Sequence, residues 1–491
     1  MSLSLASSIA QSALASTSTQ VSIVSRNIDG ANDPNYSRKI ANLTTSQTGS
    51  GELVSISRAA DKALYEKLLF AQSGGASQQA LLSGLDQMEQ TIGDPASGQS
   101  PSALLANLVN ALQTYSASPS DLTVAQSVIT AASNLTNALN GATATVQGVR
   151  SQADADMSTS VQTINQLLAQ FQTVNAAIVR GSQSGADITD SLDTRDSILS
   201  QLSQQMGITT TTAANGSVSI YTDSGVTLFQ DTPRTVTFQA TGTFTAGTTG
   251  NAVFVDGVPI TGSSSPMPLQ SGKLAGLSAL RDQVAVTYQS QLDETARGLI
   301  DAFQETDQSA TPTLPAAAGL FTYASVTTVP VGGLVAGLAG QIKINANVDP
   351  SQGGTVTRLR DGGISSPGNP AYGYNPSGAA SFTGRIQQLI DGVSVTQSFA
   401  PTTGLNANSS LTGFATASVS WLEAERQSVS DKSDYQNTLV SNASTALSNA
   451  TGVNLDSEMS KMLDLEHAYQ ASSKLLSTVD NLYTALFQAV G

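Results

Sequence analysis

Apolar residues recur with a seven-residue period at the N-terminal end of the chain. One series, seven residues apart, is interleaved with a second: Leu3, Ala10, Thr17 and Val24, then Leu14, Val21 and Ile28. Alternating steps of three and four along an apolar seam are typical of a coiled coil. A stripe this narrow needs a partner helix, so we predict that this segment packs against another helix.

The C-terminal end has the same period and a clearer pattern. The seam consists of Leu455, Met462, Leu465, Tyr469, Leu476, Val479, Tyr483, Leu486 and Val490. Because both ends carry an unpaired heptad stripe, we predict that the two terminal helices pair as a coiled coil and supply subunit packing. An ordinary helix pair within one chain is the alternative explanation of the same pattern.

The segments next to the N-terminal helix also follow helical patterns. Gly30 and the following 32–35 turn should end the first helix, because glycine suits a helix C-cap and proline prevents continuation. The helical period returns at Asp61, with predicted breaks at Gly74-Gly75 and at 93–95. A long helix should run from about Asp121 to Arg180, with a buried stripe formed by Val161, Ile164, Leu168, Phe171 and Ile178.

The pattern changes after a further helix that ends at Gly207. Residues 208–262 contain short alternating runs between glycine and aspartate turns, which predict antiparallel strands. Helix returns from Lys273 to about Asp307 and from about Thr416 to Ala450, and Asp456 can cap the last helix. Between them lies a loop-rich stretch with one strand candidate at 341–348.

These elements predict an α+β fold that is mainly α, with a long helical bundle as its body and an inserted antiparallel β domain. We divide the chain into four parts. They are a terminal helical polymerisation domain (1–50 and 453–491), a central helical domain (51–207, 273–310 and 411–452), a β domain (208–272) and a loop-rich insert with some strand (311–410).

Composition narrows the classes of function. Only 12% of the 491 residues are charged and 5% are aromatic, which favours a secreted or assembled structural protein over an enzyme. A net charge of −15 argues against nucleic-acid binding, which needs a basic surface. The chain has no cysteine, no apolar run long enough for membrane insertion and no pattern of a cleaved signal peptide. Export would therefore need another route.

The sequence contains few candidates for catalytic or metal-binding residues. The single histidine, His467, falls on the outward side of the C-terminal seam, which favours a solvated residue over a catalytic base. Aspartates recur every three residues at 187, 190, 193 and 196, but they lack calcium-loop spacing and drift around a helix. We interpret them as a solvated face paired in part with Arg195. We predict no catalytic residue, no metal site and no cofactor.

Three segments carry a family resemblance: SRNIDGANDPNYSRK (25–39), SLDTRDSILSQLSQQMGI (191–208) and the stretch that begins GVNLDSEMSKML (452–463). They resemble the signatures of the flagellar rod, hook and hook-associated proteins, and the Tyr36-Ser37-Arg38 ending is most similar to the hook-associated members. The residues that carry the signatures are Asn27, Asn32, Pro34, Tyr36, Ser37, Arg38, Arg195, Asp196, Asn454, Leu455 and Asp456.

The resemblance implies a structural subunit at the hook–filament junction, outside the cell, joined to its neighbours through the terminal helices. It implies as partners the hook protein, a second junction protein (hook-associated protein 3), further copies of itself in a ring, and a cytoplasmic export chaperone at the C-terminal helix. It also implies export through the flagellum's own type III channel. Two alternatives remain: another flagellar axial protein of the hook or rod, and a secreted surface adhesin that uses residues 208–272.

Overall fold

The computed structural model of the chain describes residues 3–45, 51–92, 98–324, 328–330 and 332–490. It confirms the mainly helical α+β class. The helices are α1 (Leu3–Gly30), α2 (Lys62–Ile92), α3 (Pro101–Ala117), α4 (Leu122–Ser184), α5 (Thr189–Gln205), α6 (Lys273–Ala279), α7 (Ala285–Ala302), α8 (Arg358–Asp361), α9 (Gly384–Gly392), α10 (Leu411–Thr451) and α11 (Leu455–Val490).

Small antiparallel sheets accompany the helices. A hairpin, β1 (Lys39–Thr45) and β2 (Gly51–Arg58), follows α1. The predicted strand region forms two sheets: β3 (Ile208–Thr212), β4 (Val218–Thr222), β5 (Thr227–Gln230) and β6 (Thr232–Pro233) in one, and β7 (Val236–Phe238), β8 (Val253–Val255) and β9 (Val258–Pro259) in the other. Two pairs lie further on: β10 (Phe321–Tyr323) with β11 (Ile342–Ile344), and β12 (Thr396–Ser398) with β13 (Asn408–Ser410).

Helix α4 is the axis of the body. The Asp121 carboxylate caps its first turn by accepting from the backbone N–H groups of Thr123 and Val124. At the other end, Gly185 takes a left-handed conformation with φ 71° and ends the helix. All five residues of the predicted stripe are buried. Both small β sheets pack on this helix, with the Phe171 ring 4.9 Å from that of Phe229.

The predicted break at Gly74-Gly75 is wrong, because α2 runs through both glycines without interruption. A Cβ atom at Gly74 would lie 2.8 Å from the Gln436 side chain on α10. Glycine therefore serves close helix packing here, a role that local sequence does not distinguish from helix breaking. The other predicted break, at 93–95, lies outside the described residues.

The predicted helix from Lys273 is divided by a π-helical turn, Leu280–Val284, between α6 and α7, and it ends at Ala302. Inside this turn Arg281 is fully buried and its guanidinium lies 2.5 Å from the Asp154 carboxylate of α4. The Arg281 carbonyl also accepts from Nε of Arg150, at 3.0 Å. The turn thus presents both the side chain and the backbone of Arg281 to α4.

Buried carboxylates of α7 and its C-terminal extension fasten the loop-rich insert to the body. Asp293 accepts from the backbone N–H groups of Gly337 and Ala339, at 2.8 and 2.9 Å. Glu305 accepts from those of Ile364 and Ser365, at 3.0 and 2.8 Å. Hydrogen bonds to charged acceptors of this kind fix the irregular backbone of the insert to the body.

The apolar core of the body is continuous, and the terminal helices take no part in it. Among the described residues, those in this core or packed against it begin at Tyr65 and end at Val429. No described residue of 3–58 or 455–490 belongs to it. Helix α1 runs toward the body and α11 leads away from it, so the two form an antiparallel pair beside the body.

Candidate assembly site at the chain termini

The seam between α1 and α11 buries few large apolar side chains. On α1 the heptad residues Ala10, Thr17 and Val24 are buried, and Leu3, Leu14, Val21 and Ile28 are half-buried. On α11 the seam buries Leu465 and Val479 and half-buries Met462, Leu476 and Tyr483. Small residues on α1 keep the helices close while leaving little apolar area to bury.

Three of the predicted seam residues remain exposed in the single chain: Leu455 (43%), Tyr469 (47%) and Leu486 (50%). Leu455 is the first residue of α11, and Leu486 lies near its far end, where the antiparallel register brings α1 to its start. The side chain of Val490 lies outside the described residues. Heptad spacing therefore overestimates how much of α11 a single partner helix covers.

More leucines lie on the flank of the seam. Leu475 and Leu482 are 53% and 51% exposed and, with Leu486, follow one side of α11 at spacings of seven and four. This flank is apolar and uncovered within the single chain. An exposed apolar row on a helix is typical of a surface that packs against another chain.

The signature turn after α1 is organised around Asn27. Its side chain is buried, donates to the Lys39 carbonyl at 3.0 Å and to Oε2 of Glu458 at 3.1 Å, and accepts from the Lys39 backbone N–H at 2.8 Å. The Tyr36 hydroxyl also donates to it, at 2.9 Å. One amide therefore links the end of α1, the first strand of the hairpin and α11.

Tyr36 folds back over the end of α1. A Cβ atom at Gly30 would lie 2.6 Å from the Tyr36 ring, so glycine is required for this contact. Burial raises the pKa of the Tyr36 hydroxyl to about 12, which keeps it protonated as a donor. The Lys39 ammonium lies 4.6 Å from the centre of the same ring.

The two termini are joined directly by an ion pair. Nε of Arg38 lies 2.7 Å from Oε1 of Glu458, whose side chain is 1% exposed, and the Arg38 backbone N–H donates to the Thr451 carbonyl at 2.8 Å. Asn454, not Asp456, caps α11: its side chain accepts from the Ser457 backbone N–H at 3.0 Å, whereas Asp456 is exposed in the first turn.

The interpretation of the aspartate series as a solvated face is wrong for Asp193, which is buried, and for Asp196, which is half-buried, whereas Asp187 and Asp190 are exposed. The Arg26 guanidinium lies 2.8 Å from both Asp187 and Asp190, and Lys39 is paired with Asp190 and Asp193. Arg58 contacts Asp193 at 2.7 Å and Asp196 at 2.5 Å. We call these residues the clasp: Arg26, Lys39 and Arg58 on the terminal part, and Asp187, Asp190, Asp193 and Asp196 on α5 and the turn before it.

Hairpin register explains the inner half of the clasp. Lys39 and Arg58 are directly opposite partners in the β1–β2 ladder, and like charges in that position repel. The Asp193 carboxylate lies between them and gives one oxygen to each. Lys39 is 0% exposed, so an unpaired charge here would be costly.

The outer half is wetter, and the two ends of the aspartate series differ in their electrostatics. Burial raises the pKa of Asp187, but hydrogen bonds from Arg26 and Thr189 outweigh it and hold that pKa below its ordinary value. Burial raises the pKa of Asp196 above its ordinary value in spite of Arg58. Arg195 does not pair with the series; its guanidinium donates to the Gly216 carbonyl at 3.0 Å.

The remaining predicted positions lie around this site or away from it. Asn32 and Pro34 are exposed at the tip of the turn, and the Ser37 backbone N–H donates to Asp193 at 3.4 Å. His467 is exposed on α11. Within the described part of the chain, no group of acidic residues and histidines is arranged to hold a metal ion, and no helix is long and apolar enough to cross a membrane.

Sequence reasoning missed Lys39, Arg58 and Glu458, which build the site, and assigned Asp193 to solvent. For the first two, the structure shows a pair of cations at the base of the β1–β2 hairpin, which requires an anion between them, but no hairpin was predicted there from sequence. No local pattern marks Glu458, which is one of several acids in the first turns of α11.

Two family models match this chain, one in the body and one at the C-terminal end. A family model described as the flagellar hook-associated protein FlgK helical domain matches residues 85–314. A second, described as the C-terminal part of the flagellar basal body rod FlgEFG proteins, matches residues 445–489. The first covers much of the body, and the second covers the end of α10 and nearly all of α11.

Individual relatives agree with the families. The chain is 25% identical over 306 residues to flagellar hook-associated protein 1 of Salmonella typhimurium, which covers 60% of this chain and 55% of that protein. The match to flagellar hook-associated protein 1 of Escherichia coli is 25% over 312 residues, with the same coverage. The chain thus spans a little over half the length of these relatives.

Among solved structures, the chain is similar to the flagellar hook junction protein FlgK from Burkholderia pseudomallei. The TM-score is 0.41 at 23% identity, covering 52% of this chain and 46% of that one.

Proposed function

Because this chain belongs to the flagellar hook-associated protein family, we propose that it is an extracellular junction subunit that joins hook to filament. The observation that carries the proposal is the uncovered apolar flank of α11, within the segment that matches flagellar rod proteins. Pairing with α1 leaves Leu475, Leu482 and Leu486 about half exposed. Neighbouring subunits would cover them.

The helical-domain match favours this role over the two alternatives. It spans residues 85–314 and is described as a hook-associated protein domain, whereas the rod-protein model matches residues 445–489. The β sheets that an adhesin would use pack on α4, with Asn165 bonded to the Val236 carbonyl at 2.8 Å. A junction subunit needs rigid packing of this kind and no catalytic chemistry.

The partners that we propose come from the resemblance to hook-associated proteins. We propose that the terminal pair packs with copies of this chain in a ring, with the hook protein on one side and hook-associated protein 3 on the other. The same flank of α11 would be held by a cytoplasmic chaperone before export through the flagellar type III channel. A chaperone there would keep exposed leucines from aggregating inside the cell.

Paired substitutions on α11 test this role. Leu475→Asp with Leu482→Asp places two charges on the flank, seven residues apart. Ser477→Asp with Thr484→Asp places two charges at the same spacing on exposed polar positions of the same helix. Each double variant is expressed in a strain that lacks the gene for this chain, and flagella are counted by electron microscopy.

We expect the leucine variant to leave hooks without filaments, since charges on a packed apolar flank prevent assembly. The polar variant should restore filaments. Immunoblots of cells and medium separate failed export, which indicates lost chaperone binding, from failed assembly of exported protein. Filaments on the leucine variant at the native number, or equal failure of both variants, would contradict the proposal.

A further inference from the structure

Within the described residues, the terminal part and the body share no apolar core. The core of the body contains no described residue of 3–58 or 455–490. Besides the two chain connections, from β2 to α2 and from α10 to α11, the clasp, the Ser37 to Asp193 hydrogen bond and the backbone bond from Arg38 to the Thr451 carbonyl join them. An attachment without shared apolar packing has no close-packed surface to fix its angle.

Space remains on both sides of the turn that carries the attachment. A cleft of about 730 Å³ lies between the turn, the start of α2, α5 and the end of α10. A second, of about 710 Å³, lies between the turn, α4 and α5. The turn at 30–36 lines both, so open space flanks the turn on two sides.

The ion pairs of the clasp differ in their exposure to solvent. Each cation bridges two successive carboxylates: Arg26 the first two, Lys39 the middle two and Arg58 the last two. The inner pairs are buried, with Lys39 0% and Arg58 10% exposed at the side chain. The outer pairs are wet, with Arg26 32% and Asp190 72% exposed.

We infer that the clasp is an ionic hinge that sets the angle between the terminal helix pair and the body. The buried Lys39, Arg58 and Asp193 form its pivot. Arg26 with Asp187 and Asp190 forms a latch that opens without breaking the pivot, because Lys39 and Arg58 keep Asp193 and Asp196 when Arg26 is released. This inference concerns the single chain and does not depend on the proposed flagellar role.

Salt should act on the two parts differently. The Debye length falls from about 10 Å at 0.1 M salt to about 3 Å at 1 M, which weakens exposed pairs far more than buried ones. High salt should therefore open the latch and leave the pivot closed. The terminal pair would then sample a wider range of angles while both helices stay folded.

The absence of cysteine makes the hinge measurable with spin labels. Labels at Ser22→Cys on α1 and Asn134→Cys on α4 report the angle, since both positions are exposed. Labels at Asn134→Cys and Gln162→Cys lie on one helix, about 42 Å apart along its axis, and serve as the rigid reference. Distances are measured by pulsed electron resonance on the full chain.

We expect the Ser22 to Asn134 distribution to broaden at least twofold between low and high salt and in Arg26→Ala at low salt. The reference distribution should not change. Lys343→Ala removes one exposed positive charge on β11, outside the clasp, and should leave both distributions as in the native chain. Circular dichroism confirms that each variant is folded.

Two results would overturn the hinge. One is an Arg26→Ala distribution as narrow as the native one. The other is a native distribution already as broad at low salt as that of the variant. The salt titration of the native chain decides the matter independently if the variant does not fold.

Discussion

The body and the terminal helix pair are held together by different kinds of interaction. Along α4 every predicted stripe residue is buried, and the surrounding helices and sheets share one apolar core. Between α1 and α11 the most deeply buried side chains near the base include Asn27 and Glu458, each 1% exposed. The body is thus stabilised by apolar area, whereas the terminal pair is positioned by hydrogen bonds and charges.

This difference indicates a division of roles. Burial of apolar area stabilises a fold in proportion to the area, and the thin seam provides little of it. Buried polar groups contribute less to stability but can fix register, because a slipped register leaves them unpaired. We therefore expect the body to fold by itself and the terminal pair to gain most of its stability from neighbouring chains.

The largest expected effect tests the body side of this comparison. Phe171→Ala removes a fully buried ring that packs edge-on against Phe229, and should lower the free energy of unfolding by about 3–5 kcal/mol. Leu476→Ala, at a half-buried seam position, should lower it by less than about 1 kcal/mol. Urea unfolding followed by circular dichroism measures both. Equal losses would mean that the seam stabilises the single chain as the core does.

The body could be predicted from sequence because its stripes are long and local. The five stripe residues of α4 and the Asp121 cap lie within one helix, where period and capping chemistry suffice. Gly74 could not be predicted, since its packing partner lies more than 350 residues away on α10. In sequence, a glycine pair within a helical pattern is as consistent with a break in the helix as with close helix packing.

The position of the terminal site could be predicted from sequence, but the contacts within it could not. The signature marked Asn27, Tyr36 and Arg38, yet the aspartate series was assigned to solvent. Its spacing of three is uninformative by itself, because the partners Arg26, Lys39 and Arg58 come from a helix end and two strands. Only the hairpin register brings Lys39 and Arg58 together over Asp193.

The second-largest expected effect tests whether ion pairs attach the β1–β2 hairpin to α5. Asp193→Asn leaves two buried cations short of a partner and should weaken attachment of the hairpin to α5 by about 3 kcal/mol. Hydrogen exchange of the hairpin amides measures this local opening. Lys39→Met combined with Asp193→Leu should lose less than Asp193→Asn alone, since Arg58 keeps Asp196. A larger loss in the double variant would contradict a charge-based attachment.

A smaller effect is expected where the two termini meet. Glu458→Gln keeps a side-chain oxygen for Asn27 but removes the charge that faces Arg38. We expect a loss of about 1.5–3 kcal/mol, in the range of a hydrogen bond to a charged group. Exchange rates of amides in the last turn of α1 and the first turns of α11 should rise together. If only the α11 amides change, then Glu458 does not couple the two ends.

The smallest effect is a dependence on pH. The pKa of Asp187 is lower in the folded chain than in the unfolded one, so ionised Asp187 stabilises the fold at neutral pH. That contribution is fully present above the unfolded pKa of about 3.9 and is lost as the pH falls through the folded value. Asp196 has the opposite sign, because its folded pKa is raised and protonation relieves it.

As the pH falls, Asp196 should therefore be protonated before Asp187, and the Arg26–Asp187 pair of the latch should persist to lower pH. Because Asp187 and Arg26 are partly exposed, solvent screening keeps the contribution to about 0.5 kcal/mol or less. Urea unfolding at neutral pH and near pH 3.5 should show a slightly smaller acid-induced loss for Asp187→Asn than for the native chain. Asp156→Asn, on α4 outside the clasp, should match the native chain. A larger acid-induced loss in Asp187→Asn would reverse the sign expected from the Arg26 pair and would place the stabilising charge of the latch elsewhere.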